Sequence, residues 1–274
     1  MIRRDLLKTI VGLSCVVPKW GRAETVDIGY TYHDSRGNTL LADTLHNNAY
    51  WDDAQKYTYT DQSHDSIYLK NTSEGYITYI SGTGKELFTP EWVSEGIFAH
   101  QDLIPPHMPA LLAAKYIGRG KEPVQALAYR DIYFLADIKV FYMSVPLRTV
   151  KYALGGGRYI CAIELITPDM VDAKKWKTYQ TIMQMEIEQK IQGWMKLPVV
   201  PMEYLVGYYL VEPEANYGAR VTMVTKMKFY QDLSFFADIG SELPFVLRQG
   251  MSAGFFGSVQ ACREYKKMQE IQTE

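Results

Sequence analysis

The residues with the strongest claim to chemistry lie near the C-terminus. Gly250-Met-Ser-Ala-Gly254 matches G-x-S-x-G, the pattern that lifts a nucleophilic serine onto a tight strand-to-helix turn. Such a serine attacks only when a histidine takes its proton and an acid orients that histidine. In hydrolases of this type both partners follow the serine in the chain. After Ser252 the sequence has neither Asp nor His, and the five histidines lie at 33, 46, 64, 100 and 107. The strand–helix alternation that carries such an elbow is also missing upstream. No catalytic residue is assigned.

The other reactive groups are weaker. Gly82-Thr-Gly-Lys85 lacks the longer glycine-rich pattern that cradles a phosphate. The histidines have no short metal-ligand spacing, so no metal and no cofactor is expected. Arg130 and Arg148 stand in β-rich stretches. An inward arginine would orient a ligand carboxylate or phosphate; an outward one would sit on the wet face. Arg130 and Asp131 are strand neighbours, so they point to opposite faces and do not pair with each other.

Gly250, Gly254 and Gly257 fall near one face of a helical stretch that runs from Gly240 to about Gln269. Each costs about 1 kcal/mol relative to Ala inside a helix. Either a ligand approaches the backbone there, or the helix packs closely on a neighbour or kinks. Leu243, Leu247, Met251 and Phe255 form an apolar stripe beside them.

The elements that would position these groups follow from periodicity. Met202–Glu212 and Ala219–Phe229 read as a strand pair joined by turn residues at 213–218. In the second strand Val221, Met223, Met227 and Phe229 share one face, and Arg220, Thr222, Lys226 and Lys228 the other. Upstream, four strands are expected at 129–135, 137–145, 148–154 and 158–166, with Gly155-Gly-Gly157 as a hairpin loop. Residues 110–118 fit helix or strand. Thr89-Pro-Glu-Trp92 starts a helix to about His100, with Thr89 as N-cap and proline at the first position. Thr167-Pro-Asp169 is a second start signal, and 169–196 is expected to be mainly helical. Residues 24–87 are polar and Tyr-rich with short strand-like pieces.

Bulk composition narrows the classes. The chain has 274 residues, 47% apolar and 22% charged, which suits one large globular domain with extensions. Its 21 tyrosines favour half-buried sheets and amphipathic cavities. Arg3-Arg-Asp-Leu-Leu-Lys8, the apolar stretch to Pro18 and Gly21-Arg-Ala23 match a twin-arginine export signal with a cleavage site. Removing 1–23 takes five basic and one acidic residue from totals of 29 and 31, leaving a net charge of −6. That balance argues against nucleic acid. No apolar run is long enough to span a membrane as a helix. Cys161 and Cys262 remain, as buried thiols or one bridge.

Three pieces carry a family resemblance. Phe88-Thr-Pro-Glu-Trp-Val-Ser-Glu-Gly-Ile-Phe98 with 104–109, the strand pair around Gly207–Pro213 and Ala219–Thr225, and Gly240-Ser-Glu-Leu-Pro-Phe-Val-Leu-Arg248 together resemble the START-like helix-grip superfamily, also called SRPBCC or polyketide-cyclase-like. The resemblance covers about 85–270. It implies an α+β fold: a curved antiparallel sheet gripping a long C-terminal helix, with an apolar cavity for a lipid or other hydrophobic small molecule between them. On that reading 1–23 is a signal, 24–84 an N-terminal extension and 85–274 the binding domain, with 169–196 an insertion. The cavity would be lined by Met223, Met227, Phe229, Gly250, Met251, Gly254 and Phe255, with Arg130 and Arg148 as polar contacts and Tyr hydroxyls fixing orientation. The protein would be periplasmic or otherwise exported, binding rather than catalysing, with an enzyme on the same fold (a cyclase, hydrolase or lyase) or an envelope structural protein as the alternatives. The Tyr-rich 24–84 segment offers a surface to an envelope partner.

Overall fold

The computed structural model describes residues 31–33, 39–41, 55–57, 64–72, 75–83, 89–121, 127–138, 141–192, 197–215, 218–229 and 243–273; side chains are described at 81–82 and, from 89 on, everywhere in these ranges but 243–254, 256 and 272–273. The expected signal at 1–23 lies outside them. So do the side-chain surroundings of Gly250, Met251 and Gly254.

Eleven strands and three α-helices follow one another among the described residues. A short pair, β1 (Thr31–His33) and β2 (Thr39–Leu41), stands apart from one large sheet. The large sheet takes β3 (Gln55–Tyr57), β4 (His64–Thr72) and β5 (Gly75–Thr83) from the N-terminal region. Helix α1 (Pro90–Ala99) and two 3-10 turns, Gln101–Leu103 and Pro105–His107, come next. Then run β6 (Leu111–Lys121), β7 (Ala128–Asp137), β8 (Tyr142–Gly155) and β9 (Arg158–Leu165). Helix α2 (Ala173–Lys190) precedes β10 (Val199–Glu214) and β11 (Gly218–Phe229), and α3 (Leu243–Thr273) closes the chain.

The spatial order is β3-β4-β5-β11-β10-β9-β8-β7-β6. Neighbouring strands pair antiparallel, and the first residues of β10 also lie parallel to β8 beyond the end of β9. The sheet is curved and the closing helix lies in its grip, the helix-grip arrangement of START-like proteins. Through the β5–β11 pairing, strands of the N-terminal region and of the later chain belong to one sheet.

Local chemistry sets the boundaries. Thr89 accepts the Trp92 backbone N–H at 3.4 Å and Pro90 fills the first turn of α1. The Thr167-Pro signal opens only a 3-10 turn, and Asp172 caps α2 by accepting the Lys175 N–H at 2.8 Å. Gly155, Gly156 and Gly157 all adopt positive φ, which tightens the β8–β9 hairpin. The expected break at Pro146 does not occur: β8 is one strand through it. Pro146 lies just past the end of the β9 ladder, where its missing N–H loses no ladder bond, and its carbonyl accepts Ile166 N–H at 2.9 Å. Residues 111–121 are strand.

Each face of the sheet has its own core. On the concave face Ile132, Val145, Leu147, Cys161, Ile163, Tyr209 and Val211 meet Val93 and Ile97 of α1 and Phe255, Val259 and Cys262 of α3. Residues 255, 258, 259 and 262 are all buried, at the steps of three and four that bring one helical face to the sheet. On the convex face α2 covers β6 and β7 through Tyr179, Ile117, Tyr133 and Leu135. The polar-looking side of β11 is not solvated: Thr222, Val224 and Lys226 are buried along with Val221 and Met223. Thr222 shares a 3.0 Å hydrogen bond with Ser81. No helix among the described residues is long and apolar enough to cross a membrane.

Candidate ligand-binding site

Period-two alternation decides what each strand shows to the concave side. In β7, Ile132, Phe134 and Ala136 face inward, while Asp131, Tyr133 and Leu135 face α2. In β8, Met143, Val145 and Leu147 face inward. Between these strands and the closing helix is a cavity of about 150 Å³. Its floor is Phe134 and Ala136 of β7, Met143, Val145 and Leu147 of β8, Ile163 of β9, and Leu205 and Tyr209 of β10. Gln101, Ile104, Met108 and Leu111 form a lid from the 3-10 turns to the start of β6, and Ser258 reaches in from α3.

The lid is held at two points. The Gln101 backbone N–H donates to the Tyr116 hydroxyl at 3.1 Å. Ile104 packs on Gly257: a Cβ there would stand 2.5 Å from Ile104 Cγ2. Helix α3 also crosses α1 closely, since a Cβ on Gly96 would lie 2.5 Å from Cys262 Sγ. Close helix packing therefore explains Gly257.

Among the described residues the polar content of the lining is small. Gln101, Tyr209 and Ser258 supply it, and Tyr209 and Ser258 are hydrogen-bonded to each other. Burial pushes the Tyr209 phenol up to about 12 against the opposing effect of Ser258, so it is neutral in ordinary buffers. Among the described residues, no side chain of the lining carries a charge.

The sequence-predicted residues divide accordingly. Met223, Met227, Phe229 and Phe255 are buried in the main core, outside the cavity wall. Phe229 meets Phe141 edge-on at 5.8 Å. Arg130 shares the inward side of β7 but stands over the Phe98 ring at 5.7 Å, beyond the lining. Arg148 faces the other way. Its guanidinium holds Asp131 through Nε at 2.8 Å and Nη2 at 3.0 Å, under α2. Tyr179 donates to the same carboxylate at 2.5 Å, Lys175 approaches it at 3.5 Å, and Gly118 leaves room for the Tyr179 hydroxyl. Arg148 is thus part of the buried joint that fastens α2 to the sheet and does not reach the cavity.

Residues 250–254 lie inside α3, which begins at Leu243, so Ser252 is not on a strand-to-helix elbow. Cys161 and Cys262 are buried free thiols against α1, donating to the carbonyls of Ser94 and Val93. Sequence reasoning passed over Ile104, Ile163, Tyr209 and Ser258. The alternation Leu205, Gly207, Tyr209, Val211 was the available signal for Tyr209.

No family model matches the sequence, and no curated protein matches it. Solved structures of similar form exist. A STAR-related lipid transfer protein fragment from Xanthomonas axonopodis is 13% identical, with 78% of this chain and 98% of that one covered at a TM-score of 0.46. Human STARD10 is 9% identical over 83% and 81% of the two chains, TM-score 0.49. The Zhui aromatase/cyclase from Streptomyces sp. R1128 is 8% identical over 68% and 94%, TM-score 0.40. By its own strand order and the closing helix held against the concave face, the chain has the START-like helix-grip fold.

Proposed function

We propose that the protein is an exported, non-catalytic carrier that takes a hydrophobic small molecule into the cavity between sheet and closing helix. The observation that carries this reading is the lining: among the described residues ten apolar side chains converge on about 150 Å³ of space, and the polar groups are those of Gln101, Tyr209 and Ser258. A space of about this size with apolar walls is large enough for a single small apolar molecule. A longer lipid would need the lid at Ile104 to move off Gly257.

The reading is tested by filling the space. Ala136 is buried and lines the cavity, so Ala136→Leu inserts bulk without removing a contact. Wild-type protein should show saturable thermal shifts with toluene-sized apolar probes and carry apolar material through gentle extraction. Ala136→Leu should lose the shifts while keeping the wild-type circular dichroism spectrum. Equal shifts in both proteins would remove the cavity as the binding place. The export reading rests on Arg3-Arg4 and the sequence to Ala23. Its measurement is the mass of the chain recovered from the cell envelope, and Arg3→Lys with Arg4→Lys should leave an unprocessed precursor in the cytoplasm.

A further inference from the structure

Resting on the reading that the cavity takes an apolar ligand, we infer that it selects an uncharged, ring-sized molecule bearing one hydrogen-bonding oxygen, anchored by Tyr209 and Ser258. Three observations converge. The space is about 150 Å³, the scale of a cavity that holds a single benzene ring. The described lining has no cationic or anionic side chain, so a carboxylate or phosphate set among these residues would lose its hydration without a counter-charge. The hydroxyls that reach the cavity are a pair rather than isolated groups: Tyr209 from β10 and Ser258 from α3, 8% and 4% exposed, bonded to each other across the sheet–helix junction.

That pairing gives the anchor its direction. A phenol hydroxyl donates one hydrogen bond and accepts up to two, and a serine hydroxyl does the same. A ligand hydroxyl or carbonyl oxygen set beside Tyr209 can extend this pair into a short chain of hydrogen bonds. Tyr209 stays protonated well above neutral pH, so it meets the ligand as a neutral donor and acceptor. The Ile104, Phe134 and Ile163 walls would hold the ring. The pair would thus discriminate against ligands of equal shape that lack the oxygen, and the uncharged walls against ligands that carry an ion.

The experiment uses three probes of nearly equal shape on the full chain at neutral pH: toluene, p-cresol and p-toluate. Affinities are read by calorimetry, with Ala136→Leu as the cavity control. p-Cresol should bind about tenfold more tightly than toluene, the worth of one net hydrogen bond, and p-toluate should bind at least tenfold more weakly than p-cresol. Tyr209→Phe should bring p-cresol to the level of toluene measured in the same variant. Ser258→Ala should reduce the p-cresol preference in the same direction and serves if Tyr209→Phe fails to fold. Equal binding of toluene and p-cresol by the wild type overturns the anchor while the cavity reading stands. So does an unchanged preference in the folded variants, or p-toluate binding as tightly as p-cresol. Failure of all three probes to bind overturns the cavity reading and this inference with it.

Discussion

A side-chain carbon on Gly257 would stand 2.5 Å from Cγ2 of Ile104, so the closing helix meets the cavity lid with its bare backbone. The cost of a glycine in mid-helix, about 1 kcal/mol, is the counterpart of that approach. Gly257→Ala gains helix propensity but must push Ile104 aside. The clash should win, because overpacking a filled core costs about 1–3 kcal/mol. A lower melting temperature is expected; Ile104→Ala is itself destabilising because it empties a buried site, but it gives the new methyl somewhere to go, so the double variant should lose less than the sum of the two singles. Thermal melts of the two singles and the double decide it. Additive losses would mean that the two residues do not press on each other.

The Asp131–Arg148 pair makes a separate prediction. Both are buried, and the carboxylate also accepts Tyr179 and faces Lys175. Removing one partner strands a buried charge, which costs about 3–5 kcal/mol, whereas replacing a buried pair with well-packed apolar groups is often neutral. Asp131→Leu alone should therefore be severely destabilising. The double variant Asp131→Leu, Arg148→Met should recover most of the loss in denaturant melts. Because the pair lies on the convex face, apolar probe binding in the double variant should match wild type.

His100 gives the molecule a pH dependence of known sign. Its ring stacks on Tyr265 at 3.7 Å, and burial lowers its pKa from 6.5 against the opposing fields of Asp102 and Glu95. A histidine depressed in the folded state is neutral there while the unfolded chain takes up a proton. Its contribution is therefore whole above about pH 6.5 and falls away as the pH drops toward the folded value. The melting temperature should fall between pH 7 and pH 5 more steeply in wild type than in His100→Gln. Parallel curves would show that His100 does not contribute.

How much of this was readable beforehand depends on the range of the interactions. The β10–β11 pair, the Thr89 cap and the helical face through Phe255 follow from spacing within about ten residues, and they were legible. The role of Arg148 was not. A strand arginine can face either way, and its direction is set by the register that puts it opposite Asp131 on β7. The cavity residues were missed for the same reason. Met223 and Phe229 are as apolar as Ile163 and Phe134, and only the sheet order decides which lie under the lid. The Tyr209–Ser258 pair joins residues far apart in sequence, and no local pattern announces it.

The two cysteines report on the opening of the grip. Cys161 on β9 and Cys262 on α3 are fully buried against α1, and burial pushes both thiols up, Cys262 to about 12. A thiol reacts as its thiolate, so neither should be alkylated in the native protein at pH 8. Labelling must wait for α3 to leave the sheet or for the whole domain to unfold. If it waits for α3, the Cys262 rate should exceed that of Cys161, and Gly96→Ala, which crowds Cys262 Sγ, should raise it further. Iodoacetamide labelling followed by peptide mass spectrometry resolves the two sites. Equal, slow rates that track global stability would assign α3 to the same cooperative unit as the sheet. Rapid labelling of either thiol in the unperturbed protein would contradict the packing of α3 against α1.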